Sequence, residues 1–511
     1  MNKKLWKLLL LIPLIGMTTL SSCNSDDDTG SSSTGTDSIN TSTPNYKVQA
    51  VREYTAEEFA NKVFADPGNN SETEEEQNQR DSLRQTFLES DSNLCKHMAD
   101  SLGANSSLVT TYRQVVLNYT TKDHAGNDIV LSGLVTYQTW RKMLFWQPVN
   151  QVDNVIIENH YTITANNQCP SQNGTNLEMA AYTYPGVVIS ADYEGYGESS
   201  TKPHPYLDEE TTARHQVEFV KVALDYINTD ATAKEYIKLV DNYKTYNMGF
   251  SQGGAVTLAV QRYLEEKEPA LCKKINFRGS IAGDGPYDLE ATFNFYKSNN
   301  HIYMPIVLPL IIKGMMTSYP ELFKGIKLSD YLNPDFANVG NGLEALIASK
   351  AVDTDGFNAL IKVYGVVHHL DWMEKYTYNI TEFDGTKTYT TTDAFILSKL
   401  LSKDALDENS TIYKALMTAL KKNNVLTGWV PKHPVILYHS DYDLVVPVVN
   451  LNSLKTNGWP SNIYLTNIGD IFWTNHVTTG YKFYLTYILS HFADLNYDFM
   501  ETYFAFYYSN N

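Results

Sequence analysis

Tyr243-Lys244-Thr245-Tyr246-Asn247-Met248-Gly249-Phe250-Ser251-Gln252-Gly253-Gly254-Ala255-Val256-Thr257-Leu258-Ala259-Val260 decides how the chain is read. The first six residues suit a short buried strand, and the run from Gly254 opens a helix of good formers. Between them, Gly249-x-Ser251-x-Gly253 forces the change of direction into one sharp turn. A serine at its apex occupies strained backbone and holds its hydroxyl clear of the sheet. A β-carbon on either flanking glycine would strike the neighbouring strand or helix. The pentapeptide recurs by chance, but between a strand and a helix it predicts a nucleophile, Ser251.

Outward from this turn, short buried strands alternate with helices. Strands are predicted at Asn154 to Glu158, Gly186 to Ala191, Tyr243 to Met248, Ile275 to Ala282, Val435 to Tyr438 and Ser461 to Thr466. Helices are predicted at Glu209 to Ile227, Ala255 to Glu266, Val448 to Asn457 and Tyr481 to Phe492. This rhythm implies an α/β fold: a mostly parallel twisted sheet covered by helices on both faces. Val109 to Tyr119 and Ile129 to Tyr137, joined by a turn at His124 to Asp128, read as an antiparallel hairpin at its edge. The core is expected over residues 108–288 and 431–511. Between them, residues 289–430 show helical patterns only (Leu343 to Lys350, Gly356 to Lys375, Thr392 to Leu401, Thr411 to Lys422). So long an interval is implausible as a bare loop and reads as a large helical cap insertion. Its apolar front, Ile302 to Met316, is expected to face an apolar pocket. Residues 47–107 are expected to form two or three helices packed on the core.

An activated serine needs a base, and the base needs a carboxylate to orient it. The run Val435-Ile436-Leu437-Tyr438-His439-Ser440-Asp441-Tyr442-Asp443-Leu444-Val445-Val446-Pro447 delivers acids at the carboxyl edge of the sheet, where open α/β sheets bind ligands. Asp443 is preferred over Asp441, with Asp284 as an outsider. The base is assigned to His476, which lies between the last strand and the last helix. His491 reads as a packed residue of that helix, and His439 lies too close along the chain to the acid. For the developing oxyanion, the N–H of Gln252 comes with the turn. A second donor should follow the strand ending at Glu158, where Tyr161 is the nominee. The competing reading has His160 and Tyr161 lining the pocket wall.

Four pieces carry a family resemblance: Ser132-Gly133-Leu134-Val135, Asp192-Tyr193-Glu194-Gly195-Tyr196-Gly197-Glu198, the turn at Ser251, and Pro434 through Pro447 with His476. Together, from about Thr110 to Ala493 apart from the cap, they resemble the α/β-hydrolases of the secreted lipase and esterase type. The order Ser251, Asp443, His476 is the order of that superfamily. The resemblance implies hydrolysis of carboxylic esters through an acyl-enzyme, with no cofactor and a small-molecule or glycan-linked ester as substrate. Tyr161 departs from the glycine such families commonly place after the histidine, and His439-Ser440 replaces a common His-Gly. A prolyl-type peptidase on the same fold is the alternative, since Gly253-Gly254 also occurs in such turns. A catalytically dead hydrolase acting as a binding module is the third.

The remaining signals concern compartment and partners. With 511 residues, 43% of them hydrophobic, the chain can fill a large core, and its formal charge of -18 argues against nucleic acid. Lys3, Lys4 and Lys7 precede an apolar run from Leu8 to Gly16, too short for a membrane span. Leu20-Ser21-Ser22-Cys23 resembles a bacterial lipobox. Residues 1–22 are therefore expected to be a lipoprotein signal peptide, Cys23 a lipidated anchor and 23–46 a flexible tether. Asp26-Asp27-Asp28 resembles the surface-export signal of Bacteroidota lipoproteins. Of Cys95, Cys169 and Cys272, at most one pair can form a disulfide. No His or carboxylate set has metal-ligand spacing, and no metal is expected.

Overall fold

The computed structural model describes residues 45–64, 74–101, 108–142, 149–172, 186–381, 386–440, 443–451 and 463–467, together with His476, Gly480 and Phe483. Cys23, Asp441 and His491 lie outside the described residues.

A nine-stranded sheet forms the core, in the order β1-β2-β3-β5-β4-β6-β7-β11-β12. The hairpin is β2 (Leu108–Lys122) with β3 (Asp128–Lys142), paired antiparallel through Asn118↔Ser132 and Val115↔Val135. β5 (Val187–Ala191) runs antiparallel to β3. β4 (Asn150–Asn159), β6 (Ile237–Phe250), β7 (Phe277–Gly283), β11 (Val435–His439) and β12 (Ile463–Asn467) extend the sheet in parallel. All six expected core strands are present, β6 beginning earlier than predicted. Of the helix expected over Val448 to Asn457, Val448–Leu451 form a 3-10 turn and the remainder lies outside the described residues.

Alternation along the strands sends side chains to two separate cores. Val115, Leu117, Val155, Ile157, Val187 and Ile189 face helices α3 (Glu209–Thr229) and α4 (Gln252–Glu266). Val116, Leu134, Ile156, Val188 and Ile436 face the opposite side, where α1 (Ala56–Val63) and α2 (Glu74–Ser101) contribute Phe59 and Phe87. Burying each such side chain is worth about 2 kcal/mol, so a one-residue register slip would forfeit both cores together. The Phe59 ring stacks on Tyr112 at 4.4 Å, which seats the N-terminal helices on the hairpin.

Four differences from the sequence reading have physical causes. First, the N-terminal segment opens with a strand: β1 (Tyr46–Thr55) pairs antiparallel with β2. Thr55 then caps α1, accepting from the Glu58 N–H at 3.2 Å while the Glu58 carboxylate accepts from the Thr55 N–H at 2.7 Å. Second, the cap is not purely helical, because β8 (His301–Ile302), β10 (Thr386–Ile396) and β9 (Met373–Thr381) make a small antiparallel sheet. Third, the apolar segment fills the cap's own core. Leu308, Leu310, Ile312 and Met315 of α6 (Val307–Ser318) pack there with Tyr206 and Leu207, and with Phe293 and Tyr296 of α5 (Leu289–Asn299). Fourth, the chain rejoins the main core by Val425, a few residues before the expected boundary. Val425, Leu426 and Trp429 are buried in it, and the Trp429 indole N–H donates to Glu265 at 3.1 Å.

Cys95, Cys169 and Cys272 are buried free thiols. No helix among the described residues is long and apolar enough to cross a membrane.

Candidate active site

The chain leaves β4, adds β5 on one side of it and returns to place β6 on the other. Such a reversal opens a crevice at the carboxyl ends of β4 and β6. Ser251 sits there, in the turn between β6 and α4, with φ 57° and ψ -123°. Non-glycine residues rarely hold this backbone, and the surrounding bonds keep it in place. The Ser251 N–H donates to Gly283 O at 2.8 Å, and its carbonyl accepts from Gly254 N–H at 2.8 Å and Ala255 N–H at 3.2 Å. A β-carbon on Gly249 would lie 2.4 Å from Gly253 O, so the predicted need for glycine on both flanks is met by backbone at contact distance.

His476 and Asp443 converge on this serine. His476 Nε2 lies 2.8 Å from Ser251 Oγ, and His476 Nδ1 lies 2.5 Å from Asp443 Oδ2. Asp443 is 0% exposed, and its Oδ1 accepts from the N–H groups of Val445 and Val446, both at 2.8 Å. A carboxylate so held accepts the Nδ1 proton, which leaves the Nε2 lone pair facing the serine hydroxyl. Such a set can draw a proton from Ser251 as its oxygen attacks a carbonyl. His476, Gly480 and Phe483 carry helical backbone. The Phe250 ring packs 5.1 Å from the imidazole of His476 and 5.7 Å from Phe483.

The other candidates sit elsewhere. His439 is buried on the end of β11 with Nε2 3.0 Å from Val446 O, which makes that nitrogen a donor to a carbonyl and not a base. Asp284 accepts from the Ser440 N–H at 2.8 Å and is fully buried, yet its carboxylate comes within 4.8 Å of both Asp443 and His476. It is a second acid at the site's edge. Asp123, His124 and Glu194 form another close group, held by His124 Nδ1 to Glu194 Oε1 at 2.6 Å.

The loop after β4 is clamped against the turn. Asn159 Nδ2 donates to Asn247 Oδ1 at 2.7 Å, Thr257 Oγ1 at 2.9 Å and Met248 O at 3.0 Å. His160 follows, fully buried and stacked on Tyr193 at 3.9 Å, and burial pulls its pKa down to about 4. A neutral ring buried in this way belongs to the wall. Tyr161 is half-buried and packs beside Ile163, Cys169 and Tyr196. Gln252 is the first residue of α4, where backbone N–H groups have no intrahelical acceptor.

Two of the sequence motifs turn out to be each other's partners. Ser132 Oγ–H donates to Asp192 Oδ2 at 2.5 Å, and the Ser171 N–H donates to Asp192 Oδ1 at 2.7 Å. Asp192 therefore ties the hairpin to the glycine-rich turn and is a structural residue. Unanticipated from sequence are His204, which meets Gln252, Lys350, which enters the core from the cap, and Tyr296, whose hydroxyl donates to Val445 O beside Asp443.

No family model and no curated protein matches the chain. Solved structures do. The rice cell wall degrading esterase LipA of Xanthomonas oryzae superposes with a TM-score of 0.53 at 18% identity, covering 77% of this chain and 93% of that one. A Legionella pneumophila protein named provisionally as a hydrolase superposes with a TM-score of 0.54 at 18% identity, covering 88% and 96%. The fold is that of the α/β-hydrolases. Within that fold, Ser251 lies in the turn between β6 and α4, Asp443 follows β11 and His476 follows β12.

Proposed function

We propose that the protein is a serine hydrolase of carboxylic esters, acting through an acyl-enzyme on Ser251. The observation that carries this reading is the hydrogen-bonded line Ser251 Oγ, His476, Asp443, with spacings of 2.8 and 2.5 Å. His476 takes the serine proton during attack on the ester carbonyl and returns it to the departing alkoxide. Water then attacks the acyl-enzyme by the same route in reverse. Asp443 fixes the tautomer and stabilises the imidazolium. The N–H groups of Gln252 and Tyr161 receive the oxyanion, each donor being worth on the order of 10²–10³ in rate. LipA, whose fold this chain shares, is an esterase that degrades rice cell walls, which supports esters, including glycan-linked ones, as the substrate class.

A fluorophosphonate probe tests the nucleophile: wild type is labelled and Ser251→Ala is not. Equal labelling of both removes Ser251 from the role. Chromogenic esters of graded acyl length, run beside proline anilides, test the chemistry, and turnover of the anilides alone overturns the ester assignment. The reading includes export, with Cys23 lipidated and the chain anchored at the bacterial outer membrane. Radiolabelled palmitate incorporation that survives Cys23→Ala excludes that anchor.

A further inference from the structure

We propose that His204 is a positioning residue for the oxyanion site, holding the Gln252 side chain and with it the peptide whose N–H receives the developing charge. The inference rests on Ser251 being the nucleophile.

Gln252 follows Ser251 directly and is buried, and its Nε2 lies 3.3 Å from His204 Nε2. The other nitrogen of that ring, Nδ1, lies 2.6 Å from the carbonyl oxygen of Glu194. A carbonyl only accepts, so Nδ1 carries the proton. A neutral imidazole then presents a lone pair at Nε2, and the Gln252 amide is the donor. The ring stays neutral because the groups packed around this half-buried residue strip water from it, which pulls its pKa down to about 3. In every state of the enzyme near neutral pH, the hydrogen bond therefore has one polarity.

The half-buried imidazole is flanked by three tyrosine rings and the glycine-rich turn. It lies parallel to Tyr193 at 6.5 Å, and Tyr196 and Tyr206 pack against it at 4.9 and 5.8 Å. A β-carbon on Gly195 would stand 2.7 Å from His204 Cα, so the glycine-rich turn is pressed directly onto this residue. The same turn receives the Lys350 ammonium on Gly195 O and, at 2.8 Å, on Ser200 O. A continuous set of contacts thus runs from the cap through the turn and the imidazole to Gln252.

The local backbone explains why Gln252 needs holding. Ser251 sits at positive φ, and the peptide joining it to Gln252 begins a helix, so small rotations there swing the N–H away from the reacting oxygen. Donors of this kind act only when their direction is preset. A histidine that merely filled space among tyrosines would have no reason to present an acceptor to the residue after the nucleophile.

The experiment separates packing from positioning by ester turnover and fluorophosphonate labelling rates. His204→Phe keeps the ring stack and removes the acceptor; kcat and the labelling rate are expected to fall together about 10- to 100-fold, with KM near wild type. His204→Gln places an amide oxygen near the lost Nε2 and is expected to restore most of the rate. Gln252→Met removes the donor and is expected to reproduce the Phe effect, with no further loss when the two are combined. Unchanged kcat in a folded His204→Phe, or rescue absent in His204→Gln at equal melting temperature, overturns the proposal. Should His204→Phe fail to fold, unchanged kcat in Gln252→Met overturns it alone. If wild type is not labelled, or Ser251→Ala is labelled equally, the ester-hydrolase reading falls instead.

Discussion

A β-carbon on Gly253 would stand 1.9 Å from the carbonyl oxygen of Asn159. The end of β4 thus rests directly on the first turn of α4, and the Ser251 turn and the loop after β4 share one packing contact. Neither partner can retreat, since the Asn159 side chain is bonded to Asn247, Met248 and Thr257. Gly253→Ala is therefore expected to force backbone apart, at a cost of about 1–3 kcal/mol of stability. A displacement on the ångström scale should also remove ester turnover by 10²-fold or more. Thermal melting and fluorophosphonate labelling read the two effects, and normal labelling in the Ala variant would show that the loop is not seated as described.

The two buried carboxylates near His476 differ in their bonds, which gives a prediction about their roles. Asp443 spends one oxygen on the Val445 and Val446 N–H groups and the other on His476. Asp284 accepts instead from the Ser440 N–H. Asp443→Asn is expected to lower kcat by about 10⁴, because an amide facing Nδ1 favours the wrong imidazole tautomer. Asp284→Asn should retain kcat within about 10-fold. A mild effect at Asp443 together with a steep one at Asp284 would transfer the role.

The parts of the fold carried by local rules could be read from the chain. The strand–glycine–serine–glycine–helix transition and the short buried runs of β4 and β5 each follow from a few neighbouring residues. The misread parts depended on pairing at a distance. Tyr46 to Thr55 has no buried residue, only half-buried positions that alternate with exposed ones from Ala50 on, because it is an edge strand whose outer face meets solvent, so nothing in its composition announced β2 as its partner. The β9–β10 hairpin did leave a signal: Tyr376 to Thr381 and Thr386 to Thr391 are rich in β-branched and aromatic residues around Asp384-Gly385. The helical rhythm on either side masked it. His204 and Lys350 gave no signal, since their partners are a glutamine and backbone carbonyls distant in sequence.

Three histidines are held neutral, His160 and His215 fully buried and His204 half-buried, and that sets an acid limit. Burial pulls His160 to about 4 and His204 and His215 to about 3, against an unfolded value of about 6.5. Between those values the unfolded chain binds more protons than the folded one. Their contribution to stability is therefore complete above about pH 6.5 and is lost as pH falls through the window towards 4 and 3. Each contributes a slope of about 1.4 kcal/mol per pH unit, opposed in part by Asp192 and Glu209, whose carboxyl groups burial pushes up. Urea midpoints measured from pH 7.5 to 4.5 should fall steadily, and His215→Gln should flatten the slope. A midpoint constant between pH 7 and 5 would rule out neutral burial.

The cap is fastened to the core at a site that can be broken by one substitution. Lys350 follows the short cap helix Leu343–Ser349 at φ 50°, and its ammonium donates to the carbonyls of Gly195, Ser200 and Lys202 over the face of Tyr196. Burial pulls its pKa down to about 8, so at pH 7 all three N–H groups remain available for three acceptors. Its own backbone is fixed as well, since Lys350 O accepts from the Asn166 N–H at 2.8 Å. Lys350→Met keeps the stem but leaves the carbonyls without their cation, and is expected to cost about 1–3 kcal/mol. Lys350→Arg should fare no better, because a planar fork does not fit a cage shaped for a compact ammonium. Melting temperature and hydrogen exchange across residues 192–204 measure the outcome. Protection unchanged in that turn, with Arg tolerated as well as Lys, would mean the ammonium is a passenger and the cap is held by its other contacts, among them Tyr206 and Leu207 and the Asn166 N–H on Lys350 O.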